Sequence, residues 1–152
     1  MSEHLCDNLW SLAQLDRDVA SVYGEALKHV TDDDIAARFR EFRGEHERHV
    51  SGIAAAVEHL GGKRRELEAD GLERVAPWVG ALRAMGGQHS ALSAMRAAEK
   101  YHSSRYHEAM AWASEAPEIE SMLRRFRNEE ARHLAFIESS LGLFSPDGDA
   151  TS

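Results

Sequence analysis

The chain has too little cysteine to staple it and little proline to break it. Its one cysteine, Cys6, cannot close an internal disulfide, which fits a reducing compartment. Proline occurs only 3 times in 152 residues, so few positions force a helix to stop. No apolar run approaches the roughly 20 residues needed to span a bilayer. The start, Met1-Ser2-Glu3-His4, lacks a signal-peptide pattern. A cytoplasmic protein with no membrane contact is therefore expected. Positive charge is also in short supply. Lys and Arg total 18 against 26 Asp and Glu, a net charge of -8, which argues against a phosphate-binding surface and hence against a nucleic-acid partner.

What is present favours helix. Hydrophobic residues make up 43% and charged residues 29%, the balance of a soluble globular domain, and good helix formers abound. Breakers separate four long helical stretches. The first runs from about Leu5 to Val30. Thr31 with Asp32, Asp33 and Asp34 caps the second, placing acids in its first turn. That helix continues to Leu60 and stops at Gly61-Gly62. A polar stretch from Lys63 to Arg74 precedes a short helix, Pro77 to Met85, closed by Gly86-Gly87. The third long helix spans about Ser90 to Ala113, and Pro117 opens the fourth, which ends near Gly142. The spacing predicts an all-α four-helix bundle over residues 1–144, made of two antiparallel hairpins joined by a long crossover with its own short helix. Residues 145–152 are expected to be a frayed tail.

The two hairpins echo one another. Tyr23-Gly24-Glu25-Ala26-Leu27 matches Tyr106-His107-Glu108-Ala109-Met110. Phe42, Glu45 and His49 match Phe126, Glu129 and His133, with Ile35 and Ile53 in register with Ile119 and Ile137. Two copies of one hairpin pack naturally about a pseudo-two-fold axis, which would bring equivalent side chains together.

Each long helix carries an inward stripe with steps of three and four. The stripes are apolar at both ends and polar in the middle, where Asp16, His46, His49, Glu99, His102, Glu130 and His133 interrupt them. Mid-helix positions of an antiparallel bundle share one level, so these side chains converge on one slab of core. A lone core histidine is usually just hydrogen-bonded, and a carboxylate beside it can be a buried ion pair. Seven together would consume much of a total stability of about 5–15 kcal/mol. A divalent cation resolves the conflict, because carboxylates offer hard oxygens and neutral imidazoles offer nitrogens. His46/His49, Glu99/His102 and Glu130/His133 are each spaced to chelate from one helix face. His4, His29, His59, His89 and His107 fall off this level and read as surface residues. Glu45, Glu47 and Glu129 lie beside the stripe and read as solvated or ion-paired, with a role behind the ligands open to Glu45 and Glu129.

These residues resemble the ferritin-like superfamily, which includes rubrerythrins and bacterioferritins. Glu130-Ala131-Arg132-His133 is similar to its Glu-x-x-His element, Glu99 stands where it has a single glutamate, and Asp16 and His49 stand where the first half has a carboxylate and a histidine. The resemblance runs from Leu5 to about Leu141. It implies a pair of divalent metal ions, iron above all, held by Asp16, His46, His49, Glu99, His102, Glu130 and His133. It also implies a di-iron-type oxidoreductase reacting with oxygen or peroxide. Two departures stand out: His46 replaces the first-half bridging glutamate, and His102 is an additional core histidine. Both make zinc, or copper, or a mixed or single metal, more natural than in the usual site, with manganese also suited.

Three readings follow. In the first, Asp16, His46 and His49 hold one metal and Glu99, His102 and His133 the other, with Glu130 between them. Tyr23 and Tyr106 pack in the core, hydrogen-bond the ligands or carry an electron. No Cys-x-x-Cys segment is present, so electrons come from outside. In the second, the same ligands bind metal without catalysis, for storage, buffering or sensing. In the third, the bundle is a metal-free interaction module, with Trp10 and Trp112 exposed beside the stripes. A homodimer through the first and third long helices, or docking of the crossover helix around Trp78, would explain those tryptophans.

Overall fold

A computed structural model describes residues 2–68 and 72–143. The expected tail from residue 145 lies outside them. The elements, in order, are α1 (Ser2–Ala26), α2 (Asp33–His59), α3 (Leu72–Met85), α4 (Gly87–Ala113) and α5 (Pro117–Ser140), with a 3-10 turn at Leu27–His29 after α1. The protein is an all-α bundle, and no described helix is long and apolar enough to cross a membrane.

The boundaries have local causes. Val30 is extended and Asp32 caps α2, its side chain accepting from the Asp34 and Ile35 backbone N–H groups, with Asp33 and Asp34 favoured by the helix dipole. The Gln88 side-chain oxygen accepts from the Thr31 and Asp32 N–H groups at 3.0 and 2.7 Å, tying this turn to the start of α4. Gly61, at φ 86°, ends α2 in a conformation that suits glycine. Pro117 opens α5 as expected, with Glu118 and Glu120 in its first turn.

The crossover differs from expectation. Its helix begins at Leu72, so Pro77 lies inside α3 instead of opening it. An internal proline forfeits one helical hydrogen bond. Burial of Val75, Val79 and Leu82 on one face offsets that loss. This face docks on α1 and α4; the expectation that Trp10 is exposed is corrected. Trp10 is only 5% exposed and packs in the core, its indole N–H donating to the Lys63 carbonyl. Trp112 is half-buried against the same cluster. Trp78 packs against Tyr101, with ring centroids 5.8 Å apart.

The hairpins α1–α2 and α4–α5 pack tightly within themselves, and α1 packs on α4; of these neighbouring pairs of long helices, α2 and α5 meet most sparingly. The core divides in two. One cluster is built on Leu9, Leu12, Ile53, Val57, Ile119 and Leu123. The other is built on Val19, Val22, Phe39, Leu92, Met95 and Ile137, and includes the α3 face. The polar side chains lie between them.

Leu82 is fully buried, so Leu82→Ala is expected to lower unfolding free energy by about 2–5 kcal/mol, read from a shifted denaturant midpoint with an unchanged slope. A loss under about 1 kcal/mol would show that α3 is not docked as described.

Candidate metal centre

All seven residues singled out by the sequence come together, and each is at most 1% exposed. Asp16 comes from α1, His46 and His49 from α2, Glu99 and His102 from α4, Glu130 and His133 from α5. Of the other histidines, His4, His59, His89 and His107 are exposed and His29 is half-buried.

Two carboxylates organise the slab. Asp16 Oδ1 lies 2.7 Å from His46 Nδ1, 3.1 Å from His49 Nδ1 and 2.7 Å from His102 Nε2. Its Oδ2 accepts from the Tyr106 hydroxyl. Glu99 Oε2 lies 3.0 Å from His46 Nε2 and 2.8 Å from His133 Nδ1, and accepts from the Tyr23 hydroxyl at 2.5 Å. His102 Nδ1 contacts Glu130 Oε2. Glu130 Oε1 has no hydrogen-bond partner, alone among the buried side-chain polar atoms of the described residues. An orphaned buried carboxylate oxygen is costly and marks a place where a cation fits.

The arrangement follows the duplication. Tyr23 of the first hairpin donates to Glu99 of the second, and Tyr106 of the second donates to Asp16 of the first. His133 Nε2 lies 3.0 Å from Glu45, and His49 Nε2 lies 2.9 Å from Glu129. Phe42 stacks on His133 at 4.2 Å and Phe126 on His49 at 4.1 Å. Glu45 and Glu129 thus stand behind the histidines, orienting the rings so that Nδ1 faces inward. Glu45 is buried and Glu129 is about a third exposed, its side chain 34% accessible. The fuller role of these two acids was the harder part to read from sequence, because both lie off the inward stripe.

Three triples bring one ligand atom from each residue within 4.8 Å of one another: Asp16/His49/Glu130, His46/Glu99/His133 and Asp16/His46/His102. The first two are counterparts under the duplication. This division overlaps the expected one only in part: His46 groups with Asp16, as expected, but also with Glu99 and His133, and Glu130 groups with Asp16 and His49. Each triple draws on both hairpins, because the two-fold places the α5 side chains opposite α1 and the α2 side chains opposite α4.

Charges in the slab compensate one another. Burial pushes the Asp16 carboxyl up, but the His102 charge and hydrogen bonds with His102, His46 and His49 hold it well below the usual range. Burial likewise opposes ionisation of Glu99, yet His46, His133 and their hydrogen bonds lower it. Burial lowers His46, but Glu99 and the bonds to Asp16 and Glu99 prevail and raise it to about 9. His102 rises well above its ordinary value, against burial, through Asp16 and Glu130. Glu130 is raised by burial, which His102 only partly counters. Burial and the facing carboxylates push Tyr23 and Tyr106 well up, so both phenols stay protonated and donate.

The wall towards solvent is the α2–α5 seam. A cavity of about 260 Å³ there is lined by Phe42, Glu45, Arg132, His133 and Phe136. On the equivalent side, a Cβ on Gly52 would come within 2.8 Å of the Phe126 Cζ, so glycine lets that ring lie flat on His49.

Two predictions follow from this geometry. Gly52→Ala should lower stability by about 1 kcal/mol or more, against the roughly 0.5–1 kcal/mol that alanine normally contributes in a helix; a gain in chemical denaturation would show that Phe126 swings aside freely. With chelator present, His46 and His102 contribute stability that is full below their ordinary pKa of about 6.5. It is lost as pH rises towards about 9, the value for His46. Denaturation curves across that interval should therefore shift to lower midpoints, and a flat or rising profile would contradict the protonated pairs.

Residues 4–112 match the family model described as "Domain of unknown function (DUF2383)". The matched stretch contains Asp16, His46, His49, Glu99 and His102 and ends before Glu130 and His133. Neither curated proteins nor solved structures give a match. Spanning more than half of the chain, the match places this protein in the DUF2383 family.

Proposed function

We propose that this chain is a ferritin-like, rubrerythrin-type protein whose core binds two divalent metal ions, iron or manganese among them, and reacts with oxygen or peroxide. The observation that carries this reading is the pair of equivalent buried triples, Asp16/His49/Glu130 and His46/Glu99/His133, together with the unpartnered Glu130 Oε1. The donor set fits. Carboxylate and imidazole ligands from facing helices are what such ions take in a bundle core. When bound, iron or manganese supplies electrons for reducing the oxidant.

The chain's own residues do the rest. Tyr23 and Tyr106 fix the Glu99 and Asp16 carboxylates by donating to them. Glu45 and Glu129 hold the His133 and His49 rings. Phe42 and Phe126 lie flat on those rings and keep bulk water out. The cavity at Glu45 and His133 gives a small oxidant its nearest approach. A reductant comes from outside, and the protein works without nucleic acid or membrane, in the cytoplasm.

A second reading, metal binding without catalysis, is favoured by the burial itself. Every ligand is at most 1% exposed, and a closed ligand shell suits storage or sensing better than turnover.

The test is elemental analysis of protein purified without chelator or affinity metal, and again after anaerobic reconstitution, beside Glu130→Ala/His133→Ala. About two equivalents that include iron or manganese, lost in the variant while helicity is kept, are expected. One equivalent of zinc or copper alone would favour the binding role. No metal under either condition would overturn both readings and leave a metal-free bundle with a buried polar network.

A further inference from the structure

The duplication is kept by Asp16 with Glu99, His49 with His133, Tyr23 with Tyr106 and Glu45 with Glu129. Facing the slab it is broken at two places. His46 stands opposite Glu130, and Val19, packed in the apolar core, stands opposite His102. The equivalent triples consequently differ in chemistry. Asp16/His49/Glu130 presents two carboxylates and one imidazole. Its Glu130 Oε1 is the unpartnered oxygen, 3.9 Å from His49 Nδ1. His46/Glu99/His133 presents one carboxylate and two imidazoles. His102 Nε2 and His46 Nδ1, each 2.7 Å from Asp16 Oδ1, add nitrogens on the Asp16 side, so the two positions differ chiefly in carboxylates, two against one.

We propose that the two positions are inequivalent and that the bundle holds a mixed pair. A harder ion, manganese or ferrous iron, sits at Asp16/His49/Glu130. A borderline ion, zinc or copper, sits at His46/Glu99/His133. This rests on the dinuclear reading above and adds which ion each half selects. Oxygen-rich sites suit manganese and iron, whereas imidazole-rich sites suit zinc and copper. Charge points the same way. Two carboxylates neutralise a divalent ion at the first position, while one leaves a net positive charge at the second, which an ion that bonds well to neutral imidazole tolerates best. His46 is the residue that sets the difference, since glutamate in its place would give both triples two carboxylates and one imidazole.

The experiment loads the metal-free full chain with one equivalent each of zinc and manganese, removes unbound metal, and reads metal content and the manganese electron paramagnetic resonance spectrum. The parent protein is expected to retain both metals and to show the six-line spectrum of an isolated manganese ion. His133→Ala should weaken zinc binding by at least about tenfold and leave manganese nearly unchanged; His49→Ala should do the reverse. His46→Glu, given manganese alone, should take up a second manganese and show an exchange-coupled spectrum. Equal loss of both metals in the two alanine variants, or a His46→Glu chain that loads manganese no differently from the parent, would overturn the proposal. A parent chain that retains neither metal would instead overturn the dinuclear reading itself.

Discussion

A charge removed from water costs several kcal/mol unless an opposite charge or a metal sits against it, and this bundle brings seven ionisable side chains into one buried slab. Everything else is arranged around that constraint. In the protein's own side chains the compensation is internal: Asp16 and Glu99 are held ionised with a protonated His46 between them, and His102 is held protonated between Asp16 and Glu130. Each long helix supplies at least one member, so the slab also fixes the register of all four. Sliding any helix by one turn would push a charge into one of the two apolar clusters and an aliphatic side chain into the polar layer.

The layer around the slab explains how it stays ordered. Tyr23 and Tyr106 belong by their rings to opposite apolar clusters, while their hydroxyls reach across to the carboxylate of the other hairpin. Because burial and the facing carboxylates raise both phenols, they remain donors. Core packing and hydrogen bonding, alternatives in the sequence, are thus one arrangement. Phe42 and Phe126 do the same for the histidines, filling apolar volume while holding an imidazole plane.

The four long helices and the seven slab residues were legible because their signals are periodic. A stripe with steps of three and four, interrupted at matching depth in each helix, states both the fold class and the convergence. The grouping of ligands was legible only in part. His46 and His49 do meet Asp16, but which helices face across the two-fold is not reported by spacing along one helix: Glu130 joins Asp16 and His49, and His46 also joins Glu99 and His133. The α3 start was misread because Pro77 suits a first helical position, while the docking face that outweighs it includes Val75, on its N-terminal side. Trp10 was misread because it lies beside the α1 stripe, yet it packs in an apolar cluster and its indole donates to Lys63, in a segment without regular structure. Gly52 gave no signal at all, since its role lies in the approach of Phe126 from another helix.

The crossover gives the symmetric pair of hairpins a back and a front. By docking on α1 and α4, α3 covers the side from which Asp16 and Glu99 project. The α2–α5 side keeps only the aromatic and acidic layer between the slab and water. That layer is itself unequal. At His49, Gly52 lets Phe126 close down, and a partly exposed Glu129 completes the wall. At His133, Phe136 occupies the place equivalent to Gly52 and packs on Phe42 at 5.6 Å, and the cavity opens beside a buried Glu45. A duplicated hairpin would by itself give two equal half-sites; substitutions at Val19/His102, His46/Glu130 and Gly52/Phe136 make them differ in charge, in donor atoms and in access. The hairpins have diverged along most of their length, but these three pairs lie in or against the slab, so they are the differences that the buried polar layer meets directly.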